Sequence, residues 1–418
     1  MNRLEKLVYD LVKDNPELKA WVVRQYQRAF SLVPQAPLKS ALPVTVRRGY
    51  FFGFHDKTPF SPDNCKLLAH RNLIGNRTVL PGDRSELGFF SGEDWSNFSA
   101  LATTQAWDWQ LGSMLQWIGV DGRECVFNDI VDGRIASRIV SSNGTLVKAL
   151  PFPVIHVSPD ARFASSYCFR RVAKAMDGYG VRFGNDAEIE IERFACNDPP
   201  DFRVFSLADG RTVFSISLEE IRSVEPHESM RDSFHFFHHS LFNPSGTRLF
   251  FFHRWVDRNA RLWSRMFTCN PDGSDRFLMP THEMVSHVGW VDDRTLLAYA
   301  RTLEGGDGYY LFRDQQDSHE PVARRLNSDG HPMMSPRGER FITDTYPDRF
   351  RNCSLYLVNL RTGAVTTVLR AHLVLKLSDD QRVDLHPRFD RTGDVVCFDS
   401  GHLGTRSLCT VRVADLPS

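Results

Sequence analysis

Four histidines stand at one recurring place in this chain. His239, His287, His331 and His386 each lie three residues ahead of a bulky apolar anchor, in His-Ser-Leu-Phe, His-Val-Gly-Trp, His-Pro-Met-Met and His-Pro-Arg-Phe. Neutral imidazole is the commonest side-chain metal ligand, so four held around one point would bind a divalent cation, or relay a proton without one. Only 15 of the 418 residues are histidine, too few for four to share one register by accident. One stretch concentrates the type: FHFFHHSLFNPSGTRLFFFHR, residues 234–254, ends with His253 and Arg254 side by side. Gln381 and Asp384 precede His386 in QRVDLHPRF; Asp384 and His386 share one side of an extended segment, because side chains alternate. FITDTYPDR offers Asp344 and Tyr346, FGFHDKTPF offers His55, Asp56 and Lys57, and VFNDIVDGR offers Asn128 and Asp129. Taken singly, each of these polar groups reads as a turn, a cap or an ion pair between elements.

What would bring such distant residues together is a repeat. After Pro43 short runs of Val, Phe, Tyr and Leu alternate with Asp-Gly, Pro-Asp and Pro-Ser-Gly turns, which is the punctuation of an all-β protein. A unit of anchor, turn and apolar strand recurs at Phe60, Trp117, Val157, Phe242, Trp290, Met334 and Phe389. Seven units at this spacing predict a seven-bladed β-propeller, in which equivalent inner-strand positions face a common axis. A two-sheet sandwich array is the competing architecture, and the constant register of the turn unit argues against it. The residues three before the anchors are Lys57, Met114, Val154 and then the four histidines, so four consecutive blades are expected to aim imidazoles at one channel.

Ahead of the repeat, Leu4, Leu7, Val8, Leu11 and Val12 recur at helical spacing up to Lys13, and a second helix is expected over residues 17–30. The predicted organisation is therefore a helical extension over residues 1–42, then the all-β propeller over 43–418 with an insertion near 173–200. The N-terminus has charges every few residues, so it reads neither as a signal peptide nor as a membrane span, and the expected location is cytoplasmic. Lys plus Arg and Asp plus Glu both number 51, with no basic block, which argues against a nucleic-acid partner. Eight scattered cysteines with no CxxC pair read as buried reduced thiols.

The segments HHSLFNPSGTRLFFFHRW, MVSHVGWVDD, DGHPMMSPRGERFITDTYPD and VDLHPRFDRTGDVVCFDS resemble the oligogalacturonate lyase family of seven-bladed propellers, and more closely its uncharacterised bacterial relatives. The resemblance covers residues 234–400 well and 50–170 weakly. It implies a divalent ion of the manganese kind, with zinc or calcium as alternatives, held by histidines and a glutamine. The family's Gln-x-x-His-x-His-Pro stretch corresponds to residues 381–387 here, with Gln381 and His386 matching and Asp384 in place of a histidine. The family's histidine followed by Glu-Gly-Pro-Trp corresponds to His253, followed here by Arg254 and Trp255. The implied activity is β-elimination on a uronate-containing acidic oligosaccharide or polysaccharide. On that basis His287, His331, Gln381, Asp384 and His386 are the expected metal ligands. His239 or His253 is the expected base, with Arg254 beside it, and Arg254 or Arg388 is expected to hold the substrate carboxylate. Lys57, Tyr346 and Asp344 complete the expected substrate contacts. Two other classes fit the same sequence: a uronate epimerase or hydrolase of surface-glycan metabolism, and a non-catalytic propeller scaffold. No G-x-S-x-G is present, which argues against a peptidase.

Overall fold

Each anchor-turn-strand unit folds as an antiparallel hairpin, and each hairpin is the inner half of one sheet. The computed structural model describes residues 16–31, 33–182, 201–326 and 328–416. These form seven antiparallel sheets arranged as a seven-bladed β-propeller. Blades 1 to 7 occupy residues 50–104, 116–150, 163–216, 234–278, 285–322, 333–372 and 388–412. The first strand of each blade is innermost, and the recurrent turn joins it to the second.

Blade 4 shows why phenylalanine dominates these strands. Leu249–Val256 is buried along almost its whole length, because a central strand packs against a neighbouring blade on each face. Leu249 and Phe251 join Phe202 and Val204 of blade 3, whereas Phe250 and Phe252 join Leu296 and Ala298 of blade 5. Burying one phenylalanine side chain contributes roughly 1.5–3 kcal/mol, so this strand alone locks three blades together. The tryptophan anchors add a directional tie. The indole N–H of Trp290 donates to Leu241 O on the preceding inner strand (3.0 Å), and that of Trp117 to Pro59 O (2.9 Å).

The chain closes the ring with its early strands. Val44–Arg48 pairs with Ser407–Arg412 to complete blade 7. Leu38–Ser40, within the expected helical extension, instead adds a fifth strand to blade 6 by pairing with residues 369–371. Helix α1, Pro16–Ser31, is the second expected helix; Phe30 meets the ring of Phe350 edge-on at 5.0 Å, and Gln27 accepts a hydrogen bond from Arg351 at 2.9 Å. The first expected helix lies outside the described residues, as do Cys196 and residues 183–200 of the expected insertion. The described cysteines form no disulfide, and all but Cys65 are buried. Among the described residues no helix is long and apolar enough to cross a membrane.

One glycine fixes the centre. Gly53 has φ +112°, and a Cβ there would come within 2.7 Å of the Leu111 backbone. The inner strand of blade 1 passes too close to the loop at 108–112 for any side chain, and the conformation suits only glycine. Its carbonyl is consequently free to meet side chains from blade 7.

Candidate functional site

The four aligned histidines do converge. Ring centroids of His287 and His331 are 4.2 Å apart, those of His331 and His386 4.2 Å, and those of His239 and His287 5.9 Å. Phe54 fills the middle, stacked on His239 at 4.6 Å and edge-on to His386 at 5.1 Å. A fifth imidazole, His55 from blade 1, lies 5.4 Å from both His287 and His331. His239 and His386 have φ of 52° and 43°, and the register of blade 4 slips at His239. Such a bulge re-aims a side chain out of the strand's alternation, at a cost of order 1 kcal/mol for a non-glycine residue.

Carboxylates and carbonyls fix the orientation of these rings. Asp344 accepts from His331 N (2.8 Å), His331 Nδ1 (2.7 Å) and His386 N (3.0 Å). The Nδ1–H of His386 donates to Gly53 O at 2.9 Å. His287 Nδ1 faces Asp329 at 3.3 Å, and Asp329 is held in turn by Ser286 Oγ at 2.5 Å. With Nδ1 committed as donor, the lone pair of His331 and of His386 is on Nε2, and both Nε2 atoms are buried without a hydrogen-bond partner. Ligand atoms of His331, His386 and Asp384 all lie within 4.8 Å of one another. Two orphaned lone pairs beside a carboxylate, each ring braced from behind, fit a divalent cation.

Electrostatics agree with that assignment for His386, whereas His331 has to give up a proton before its Nε2 can bind a cation. Burial lowers His386, His239 and His55 well below the usual histidine range, helped by neighbouring rings, so they are neutral at pH 7. His331 differs: burial pulls it down, but Asp344 outweighs this and holds it above its usual value. Asp384 is 2% exposed, and burial would raise its pKa. Arg382 overrides this, donating Nε to both oxygens (2.8 and 3.0 Å) and Nη2 to Oδ2 (2.7 Å).

Arg254 lies next to this cluster. Its donors go to His238 Nδ1 (3.1 Å), Ser286 O (3.0 Å) and Val285 O (3.4 Å), and its Nε has no partner. No carboxylate among the described residues comes within ion-pair distance. Burial lowers its pKa to about 10. A buried guanidinium without a counter-ion is costly, and an incoming anion would relieve it. Tyr346 is half-buried, its ring 5.4 Å from His331.

Several expected residues are placed elsewhere. His253 does not join the cluster, because strand alternation turns it to the face opposite Arg254. Its Nε2 meets His235 Nδ1 at 2.9 Å, and its Nδ1 accepts from Arg265 at 3.1 Å. Arg388 is fully buried and its donors are spent on Phe54 O (3.1 Å), Gly53 O and Asp399 (3.2 Å), leaving no fork for a substrate. Asp344 is 1% exposed and braces two histidines rather than touching solvent. Lys57 pairs with Asp56 among the residues lining a pocket of about 480 Å³ on the face of the recurrent turns, and neither Asp384 nor Tyr346 lines that pocket. Gln381 sits half-buried at the end of a short 3₁₀ turn, Asp379–Gln381.

Sequence reasoning left His55, Asp329 and Arg382 without roles. For Arg382 a signal existed: Arg-x-Asp in an extended stretch puts opposite charges on one side. No protein-family model matches the chain, and no curated protein sequence matches it. Solved structures do. A structure described as oligogalacturonate lyase in complex with manganese aligns over 91% of this chain and 97% of its own, at 16% identity and a TM-score of 0.59. The oligogalacturonate lyase of Vibrio parahaemolyticus aligns over 90% and 94%, at 16% identity and a TM-score of 0.56. At this identity the likeness concerns the fold.

Proposed function

We propose that the protein is a divalent-cation-dependent lyase that cleaves a uronate-containing oligosaccharide by β-elimination at the axial histidine cluster. One observation carries this reading: the unpartnered, buried Nε2 atoms of His331 and His386 beside the Asp384 carboxylate. His287, His331, His386 and Asp384 would hold the cation, with Gln381 as a further ligand. Manganese is the first ion to test, since one structural neighbour is described as its complex, with zinc and calcium next. When bound, the cation would stabilise negative charge developing on the sugar carboxylate.

The chain's own residues supply the rest. The proton α to a uronate carboxylate is weakly acidic and needs a base within reach. His239 is neutral at pH 7, and its ring centre lies 5.9 Å from that of His287. It would take the C5 proton; the electron pair would form the C4–C5 double bond as the C4–O bond breaks, and the departing oxygen would be protonated. Arg254 would hold a substrate carboxylate, gaining the counter-ion it lacks. Tyr346 would line the approach.

The test is manganese-loaded protein mixed with trigalacturonate. Rising ultraviolet absorbance from an unsaturated uronate is the expected result, abolished in His331→Ala/His386→Ala. New reducing ends without that absorbance would mean hydrolysis instead. Binding without any product would leave a carbohydrate-binding propeller.

A further inference from the structure

The pairing of Arg382 with Asp384 points to a substrate contact that the sequence did not suggest. We propose that Arg382 reads the carboxylate of an acidic sugar, and that Asp384 holds it in position to do so; the proposal rests on the lyase reading of the same site.

A guanidinium has two usable edges. Asp384 takes the side-on edge, through Nε and Nη2. The end-on fork, Nη1 with the second N–H of Nη2, has no acceptor among the described residues. The Arg382 side chain is 31% exposed against 2% for Asp384, so Arg382 is the member of the pair that solvent reaches. The backbone is pinned: Arg382 O accepts from Gln110 Nε2 at 2.8 Å and from Arg406 Nη2 at 2.7 Å. The guanidinium lies 5.4 Å from the centre of the Tyr346 ring, which borders His331. Backbone, carboxylate and ring thus set the fork beside the cluster before any ligand arrives. A planar fork matches a carboxylate bidentately, which a lysine ammonium does not.

The same pairing bears on the replacement of a family histidine by Asp384. A carboxylate there adds a negative charge that a neutral imidazole would not, and Arg382 offsets it.

The test uses full-length, manganese-loaded protein with galacturonate and its methyl ester, which carry no linkage to cleave. Wild type, Arg382→Lys and Arg382→Gln are compared by calorimetry, and manganese affinity is titrated separately. The expected result is a loss of about tenfold or more in affinity for the acid in both variants, equivalent to about 1.4 kcal/mol, with little change for the ester. Manganese affinity should fall by no more than about 10–100-fold, the usual effect of losing a group behind a ligating side chain, so the sugar titrations are run at saturating manganese. Acid and ester weakened alike, or manganese binding lost, would reduce Arg382 to a prop for Asp384 and overturn the proposal. Acid preference undiminished in both variants overturns it too, with the lyase reading intact. A wild-type protein without acid preference would instead sink the uronate reading itself.

Discussion

At the level of single side chains, Asp344 governs the candidate site without entering it. Its two oxygens receive three N–H donors from His331 and His386. Asn at this position must turn an NH₂ towards at least one of those donors. Asp344→Asn is therefore expected to weaken manganese binding by about 10–100-fold, the usual effect of losing a carboxylate behind a ligating histidine, and calorimetric titration would measure it. A pH dependence follows from the same contact. Asp344 holds the His331 pKa above its usual value. A protonated ring has no lone pair to give, so cation binding must displace that proton. Affinity should fall about tenfold per pH unit once the pH drops below the His331 pKa. In Asp344→Asn the largest raising influence is gone, leaving those of Asp384 and Asp329, so the fall should begin at lower pH. A wild-type affinity that stays flat from pH 8 to pH 5 would exclude His331 as a ligand.

Between elements, the buried pair of Arg388 and Asp399 ties blade 7 to blade 1. Asp399 also accepts from Phe52 N and Gly53 N, both at 3.0 Å. Arg388→Gln should cost about 3–5 kcal/mol, because it leaves a buried carboxylate without its cation, and a lowered denaturation midpoint would show it. Were Arg388 a substrate fork, the variant would keep its stability and lose acid binding. A second contact is sensitive to pH. Asp108 sits in the loop packed against Gly53; burial raises its pKa to about 7, although Leu111 N and Gln110 N donate to it. A carboxyl raised in the folded state binds its proton more tightly there than when unfolded. Its contribution therefore falls as pH climbs from about 4 to about 7. Asp108→Asn should gain stability over wild type at pH 8, by up to roughly 4 kcal/mol, and show little gain near pH 4. These contacts show what was legible from sequence. The hairpin repeat and the four histidines were, because turn chemistry and register are local. His55 was named but given no place in the register, because the inner strand of blade 1 loses regular pairing between Phe51 and Phe60 and counting back from Phe60 lands on Lys57. His253 was misplaced because the neighbours His253 and Arg254 were both sent to the channel, which strand alternation forbids. Arg388 and Asp344 were read as open to substrate because burial depends on the neighbouring blades, which the local pattern does not reveal.

Across the molecule, the cluster straddles the seam where the ring closes. His331 and His386 belong to blades 6 and 7, whereas Phe54 and His55 come from the start of the repeat in blade 1. Their juxtaposition depends on Val44–Arg48 completing blade 7 through five paired positions from Val44↔Val411 to Arg48↔Ser407. That strand acts as a non-covalent cross-link between the two ends of a very long loop, and closing long loops costs little more entropy than closing short ones. Helix α1 lies outside the ring and meets blade 6 through a few contacts such as Phe30 with Phe350. The two parts of the N-terminal region should consequently respond differently to truncation. Truncating Phe30 and Gln27 together to alanine should lower stability by about 1–2 kcal/mol, the scale of an edge-on aromatic pair plus one hydrogen bond, and leave cation affinity near wild type. Deleting residues 1–48 removes the closing strand and leaves an unpaired edge on Ser407–Arg412. The expected outcome is loss of the single cooperative melt together with cation binding, since His386 is then free to drift from Gly53. Calorimetric melts of both truncations with and without manganese would separate the cases. A 1–48 deletion that still binds manganese at wild-type strength would show that blades 6 and 7 alone build the metal cluster, and that closure serves only the fold.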